Sequence, residues 1–113
     1  FTYLDDTVGG FVLAGQTHSW NGETYNLGTG QEISIGSVAE LIFKIMGKRP
    51  KIQVEPSRLR PEKSEVLRLI SDNKKAKNAL GWQPKVGMEE GLRRTIAWIS
   101  THLDLYMPEE YGL

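Results

Sequence analysis

The stretch YNLGTGQEISIGSVAELI, residues 25–42, places the strongest local demand on how this chain folds. A β-prone segment (ETYNL, residues 23–27) runs into Gly28 and Gly30, and a helical pattern follows. Ile35, Val38, Leu41, Ile42 and Ile45 recur at helical spacing, and Gly47 stands where such a helix should stop. Ser34 is placed to cap it, offering a side-chain oxygen to free backbone N–H groups. Strand, glycine turn and helix in this order often cradle a phosphate. A dinucleotide fingerprint, however, needs glycines at G-x-G-x-x-G and an acid about 20 residues on. Here the third glycine position holds Ile33, and the later region reads Arg49-Pro50-Lys51. No Gly-Lys-Ser/Thr follows, which excludes a P-loop. The turn is therefore read as scaffold: its glycines let the backbone bend tightly at low steric cost.

Other helices announce themselves through caps and stripes. Asp5 or Asp6 is placed to cap a helix whose face carries Val8, Phe11, Val12 and Gly15. Gly9 and Gly10 weaken that helix and point to close packing. Asp72 is placed to cap a short helix through Ala76 and Leu80, stopped by Gly81 and Pro84 with Trp82 between them. Met88, Leu92, Ile96, Ile99 and Leu103 form the stripe of a last helix, expected over residues 88–103 and packed against the 35–45 stripe. Asn21-Gly22 signals a turn; KIQVE (51–55) and LRLIS (67–71) read as short strands. The tail from Asp104 shows no period. About four helices and three or four scattered strands make a small α+β lobe, too few strands for a doubly wound sheet of its own.

Composition removes whole classes of function. The chain has 113 residues and is 39% apolar before its 12 glycines are added, which suits one ordered domain with a modest core. Basic and acidic residues number 14 each, for a formal net charge of zero. That argues against nucleic acid or an anionic membrane as the main partner. No cysteine is present, so disulfides and cysteine-ligated zinc are excluded, and a cytoplasmic setting is compatible. His18 and His102 stand far apart and belong to no metal motif. No apolar run approaches the ~18 residues of a membrane span.

Few residues offer chemistry. The acid pairs Asp5/Asp6, Glu89/Glu90 and Glu109/Glu110 are sequence neighbours, and neighbours on a helix do not face each other. No nucleophile elbow G-x-S-x-G occurs. Lys74, Lys75 and Lys77 read as a solvated helix face, and Trp20, Trp82 and Trp98 as packing residues. The loop RLRPEKSE (58–65) differs. Arg58 and Arg60 stand between prolines, with Glu65 shortly after. Arginine's planar fork suits a phosphate, and a carboxylate can accept hydrogen bonds from ribose hydroxyls. The alternative reading is an exposed charged loop.

The segments FTYLDDTVGGFVLA, YNLGTGQEISI, RPEKSEV, DNKKAKNALGWQPKV and EEGLRRTIAWI, in this order, resemble the C-terminal part of extended short-chain dehydrogenases/reductases that act on nucleotide sugars. The likeness is strongest to NAD-dependent 4,6-dehydratases, with 4-epimerases close behind, and covers nearly the whole chain. It implies that residues 1–113 are a C-terminal substrate-binding lobe and Phe1 an internal residue of a longer enzyme. In such an enzyme a Rossmann domain binds NAD and supplies a Tyr-x-x-x-Lys pair. Tyr3, Tyr25 and Tyr106 are followed four residues on by Thr7, Thr29 and Glu110, so the pair is not in this sequence. The family chemistry would oxidise the sugar at C4, eliminate water across C5 and C6, and return the hydride. The resemblance assigns diphosphate and ribose binding to Arg60 and Glu65, with Arg58 a rival for the phosphate. Gln31 stands where some relatives touch substrate. The implied partners are a nucleotide-diphosphate sugar, the Rossmann domain and further copies in a cytoplasmic homo-oligomer. No cofactor-binding, catalytic or metal residue is assigned within the chain. Gly87 and Ser37 depart from the family's usual capping residues.

Overall fold

The computed structural model describes residues 1–17, 22–53 and 68–106. Four α-helices follow in order: α1 (Leu4–Gln16), α2 (Ile35–Met46), α3 (Lys74–Leu80) and α4 (Met88–Thr101), then a 3₁₀ turn over Leu103–Leu105. α1 packs against α3 and α2 against α4.

The caps at α2 and α3 show how local chemistry delimits them. Ser34 caps α2, its Oγ accepting from Ser37 N at 3.0 Å. Ser37 joins the cap through its own hydroxyl, 2.8 Å from Ser34 Oγ. Gly47 and Gly81 end α2 and α3 in the left-handed region, with φ of 64° and 67°. The N-cap of α3 is Asn73, one residue beyond the expected Asp72. Asp72 still serves that end, its Oδ1 accepting from Lys74 N at 3.0 Å. The Asn73 side chain is engaged elsewhere, donating to Gly28 O.

α4 ends at Thr101, two residues short of the expected Leu103. Side chains take the Trp98 carbonyl: Thr101 Oγ1 donates to it at 2.9 Å, and His102 Nδ1–H at 2.8 Å. The His102 ring stacks on Trp98, centroids 4.3 Å apart. The half-buried stripe Met88, Leu92, Ile96 and Ile99 stays on the helix, as expected, while Leu103 is exposed.

The core is small. Among the described residues, Ala76, Trp82 and Val38 are the buried apolar ones. Asp6 is buried with them at 7% exposure. Neither it nor Asp5 caps α1: Tyr3 stands at the cap without a side-chain bond. Asp6 instead reaches across the fold, and its carboxylate Oδ2 accepts from Lys85 N at 3.0 Å and Val86 N at 2.9 Å. Its backbone carbonyl accepts from the buried Trp82 indole at 2.7 Å. One residue of α1 thus bonds Trp82, Lys85 and Val86 of the connection from α3 to α4.

The expected strands are not present among the described residues. A strand exists through its ladder to a partner. Residues 23–27 have no such partner: Leu27 O accepts from Thr2 Oγ1 at 3.4 Å, and the neighbouring Gly28 O accepts the Asn73 side chain. The described parts of the other two expected strands, 51–53 and 68–71, carry no ladder either. The architecture described is helical with extended connections. Val54, Glu55 and Leu67 of those strands, with Asn21 of the predicted turn, lie outside the described residues.

Candidate functional site

The glycine turn is built for contact with its own chain. A Cβ at Gly28 would overlap the Ser71 side chain, with Ser71 Oγ only 2.6 Å away. Glycine is required there because residue 71 occupies the space a side chain would fill. Gly30 adopts φ +70°, a conformation side chains rarely take. Thr29 Oγ1 accepts from Gln31 N at 3.3 Å, closing the turn locally. The Asn73 amide donates to Gly28 O at 2.6 Å. Beyond the turn, Arg68 grips Glu32 with two bonds, Nε to Oε2 at 2.5 Å and Nη2 to Oε1 at 2.9 Å.

The turn departs from a dinucleotide cradle in three respects. The approach to Gly28 is filled by Ser71, the third glycine position is Ile33, and the α2 N-terminus is already capped by Ser34. The turn's carbonyl and the acid beside it are committed to Asn73 and Arg68.

Beside the turn lies a groove of about 360 Å³, walled by residues 1–3, 29, 31–33 and 84–88 and by the first half of α4. Gln31, Glu32, Lys85 and Thr95 supply its polar groups. Tyr3 shapes its floor: its ring lies 3.3 Å from where a Cβ on Gly91 would stand, and the Arg94 guanidinium sits 5.6 Å from the ring centroid. Glu32 is already held by Arg68, and Thr95 Oγ1 donates to Gly91 O; the Gln31 and Lys85 side chains can hydrogen-bond a polar ligand.

The acid pair Glu89/Glu90 divides as the helix geometry requires. Glu89 accepts from Arg93 at 2.6 Å and Glu90 from Arg94 at 2.7 Å, both across one helical turn. The hydrogen bond from Arg93, with that arginine's charge, holds the Glu89 carboxyl below its ordinary value. The bond to Glu90 raises Arg94 in the same way. Of the lysine run, Lys75 pairs with Glu23 and lies 5.3 Å from the Tyr25 ring centroid. Among the described residues no group of three or more His, Asp and Glu side chains could hold a metal. No helix among them is long and apolar enough to cross a membrane.

Arg58, Arg60 and Glu65 lie outside the described residues, as do His18, Trp20 and the Glu109/Glu110 pair. Gln31 is described and lines the groove. Sequence reasoning missed the bridging role of Asp6 and the Glu32–Arg68 and Gly28–Asn73 contacts. The last two join residues 36 and 45 positions apart, and no local pattern encodes such pairings.

Comparison with known proteins gives this arrangement its context. The family model for GDP-mannose 4,6 dehydratase matches residues 1–95. UDP-glucuronate 4-epimerase of Thermodesulfobacterium geofontis is 34% identical over 93% of this chain, which covers 31% of that protein. UDP-glucuronic acid decarboxylase 1 of Danio rerio is 34% identical over 98% of the chain and 25% of its own length. Among solved structures, the Bordetella bronchiseptica enzyme WbmF, crystallised in complex with NAD+ and UDP, superposes with a TM-score of 0.71 at 26% identity. That match covers 89% of this chain and 29% of WbmF. The chain thus spans between a quarter and a third of the length of these relatives. The first two are named for reactions on a nucleotide sugar, and this chain belongs to the GDP-mannose 4,6 dehydratase family, among the extended short-chain dehydrogenases/reductases.

Proposed function

We propose that residues 1–113 form the nucleotide-sugar-binding lobe of an NAD-dependent nucleotide-sugar 4,6-dehydratase. The observation that carries this reading is the likeness to WbmF, a protein crystallised with both NAD+ and UDP, over 89% of the chain. The match to the GDP-mannose 4,6 dehydratase family model supports the dehydratase assignment. The 34% identity to a UDP-glucuronate 4-epimerase favours a second reading, the same lobe serving a 4-epimerase. Product analysis separates them: a dehydratase yields a 4-keto-6-deoxy sugar, an epimerase a sugar inverted at C4.

In this reading the lobe binds and orients. Arg60 holds the diphosphate through charge-assisted hydrogen bonds, Glu65 accepts from the ribose, and Arg58 is the competing phosphate ligand. NAD belongs to a dinucleotide-binding part outside residues 1–113, which agrees with a glycine turn that departs from a dinucleotide cradle. The working enzyme is proposed as a cytoplasmic homo-oligomer. Anchoring the remote nucleotide contributes to rate by fixing the sugar's orientation.

The test is Arg60→Ala in the full-length enzyme. A hydrogen bond to a charged group contributes about 1.5–3 kcal/mol, so nucleotide-sugar affinity should fall roughly 10- to 150-fold. NAD affinity should not change. Arg60→Lys should recover only part, because a point charge does not reproduce a bidentate fork. Damage from Arg58→Ala with a silent Arg60→Ala would move the role to Arg58. Unchanged affinity in both would reduce the segment to solvated surface.

A further inference from the structure

Helix α1 presents two different sides. Asp6 and Gly10 turn into the lobe, where Asp6 bonds the α3–α4 connection and Leu27 leaves no room for a side chain at Gly10. On the opposite side Leu4, Val8, Phe11, Val12 and Gly15 recur at helical spacing and form a second face. The four apolar side chains are exposed, and among the described residues nothing lies within 4 Å of where a Cβ on Gly15 would stand. No charged residue occurs from Thr7 to Gln16. The other helices all carry charge on their surfaces: Glu40 and Lys44 on α2, Lys74, Lys75 and Lys77 on α3, and the Glu89–Arg93 and Glu90–Arg94 pairs on α4. Single exposed apolar side chains need no explanation. A helix packed on one side, and apolar and uncharged on the other, has the pattern of a buried helix.

We infer that this outer face of α1 docks on the dinucleotide-binding part of the same enzyme, against an apolar, uncharged surface. The inference rests on the function proposed above, in which residues 1–113 are one lobe of an NAD-dependent enzyme. The matches cover 29% of WbmF and 31% of the UDP-glucuronate 4-epimerase, so the larger part of each lies outside what this chain resembles. A second copy is the poorer occupant. α1 has 13 residues, which make a helix about 20 Å long and about 10 Å wide. One stripe of it falls well short of the roughly 800 Å² per partner that a stable interface between separate molecules buries. Two parts of one polypeptide lose little translational freedom on docking, so a stripe of this size suffices between them. The lack of charge also matches permanent contacts, which are more apolar than transient ones. Docking here holds more than α1 in place. From the inner side Asp6 bonds Lys85 N and Val86 N, and both residues wall the groove. The helix thereby sets the groove's position against the cofactor-binding part.

The experiment uses the full-length enzyme with a photo-crosslinking phenylalanine analogue in place of Phe11. Irradiation should join α1 to a peptide of the dinucleotide-binding part, in a product with the mass of one chain. A product with the mass of two chains, a link to any other peptide, or no link at all overturns the inference. Cysteine labelling gives a second readout. Residues 1–113 contain no cysteine, so Val12→Cys and Lys77→Cys each place a single reporter there, at positions exposed in the lobe. Each rate of maleimide labelling is taken relative to the same variant unfolded in urea. In the full-length enzyme Val12→Cys should label roughly tenfold or more slower than Lys77→Cys, since a docked face reacts only when it opens. Equal rates overturn the inference. Protection that disappears on dilution assigns the face to a second copy and overturns it as well. Val8→Cys takes the place of Val12→Cys if that variant does not fold. Titration of the unaltered full-length enzyme with NAD+ separates the two ideas. If it binds NAD+ and the face proves open, the inference fails and the proposed function stands. If it binds no NAD+, the proposed function fails and the inference fails with it.

Discussion

Asp6 joins helix α1 to the connection between α3 and α4. Three bonds meet there: Lys85 N and Val86 N on its carboxylate, and the Trp82 indole on its backbone carbonyl. A buried carboxylate is costly unless its oxygens are occupied, and here two backbone donors that helix α4 cannot use occupy one of them. Asp6→Ala leaves both donors without a partner in a part-buried place. A hydrogen bond to a charged group is worth about 1.5–3 kcal/mol, so the variant should lose about that much stability in denaturant unfolding. Asp6→Asn keeps an acceptor oxygen of the same reach and should lose clearly less. Equal losses would mean that Asp6 acts through packing alone. The indole bond uses the main chain and survives both changes, which confines the comparison to the carboxylate.

At the scale of elements, what was legible in the sequence was what depends on neighbours in the chain. The Ser34 cap, the Gly47 and Gly81 stops, the α2 stripe from Val38 to Ile45 and the half-buried stripe of α4 all follow from spacing within one helix, while Ile35 at the head of the α2 stripe is 73% exposed. What was illegible depends on distant partners. ETYNL has the composition of a strand, yet its end is held by Thr2 and Asn73 side chains. α1 is the sharpest case. Val8, Phe11, Val12 and Gly15 are the expected face, but the three apolar side chains stand 49%, 70% and 52% exposed, while Asp6 and Gly10 face inward. Of the two glycines expected at close contacts, Gly10 meets Leu27 and Gly9 meets nothing. Periodicity identifies a face and is silent about what covers it. Leu4, also on α1, is 69% exposed. Residues 1–113 alone should therefore self-associate, in proportion to concentration, in sedimentation velocity. Phe11→Lys should shift that equilibrium towards monomer without loss of helicity. A strictly monomeric fragment would show that this face tolerates water.

For the molecule as a whole, the decisive question is which ligands this lobe can hold unaided. Dinucleotide binding at a glycine turn needs backbone that the pyrophosphate can approach and a helix N-terminus with free N–H groups. Gly28 has Ser71 against it, and Ser34 accepts from the N-terminus of α2. The proposed substrate ligands belong instead to a separate segment, residues 58–65. Cofactor and substrate binding should therefore separate physically. Residues 1–113 as an isolated chain should give no heat with NAD+ at micromolar concentrations in calorimetry and should turn over no nucleotide sugar. Gly30→Ala provides the control. It strains a backbone at φ +70° and should lower the unfolding midpoint of the lobe while leaving NAD+ affinity in the full-length enzyme unchanged. Micromolar NAD+ binding by the isolated chain, abolished by Gly30→Ala, would return the turn to the role its glycines first suggest. It would also remove the division of labour on which the proposed function depends.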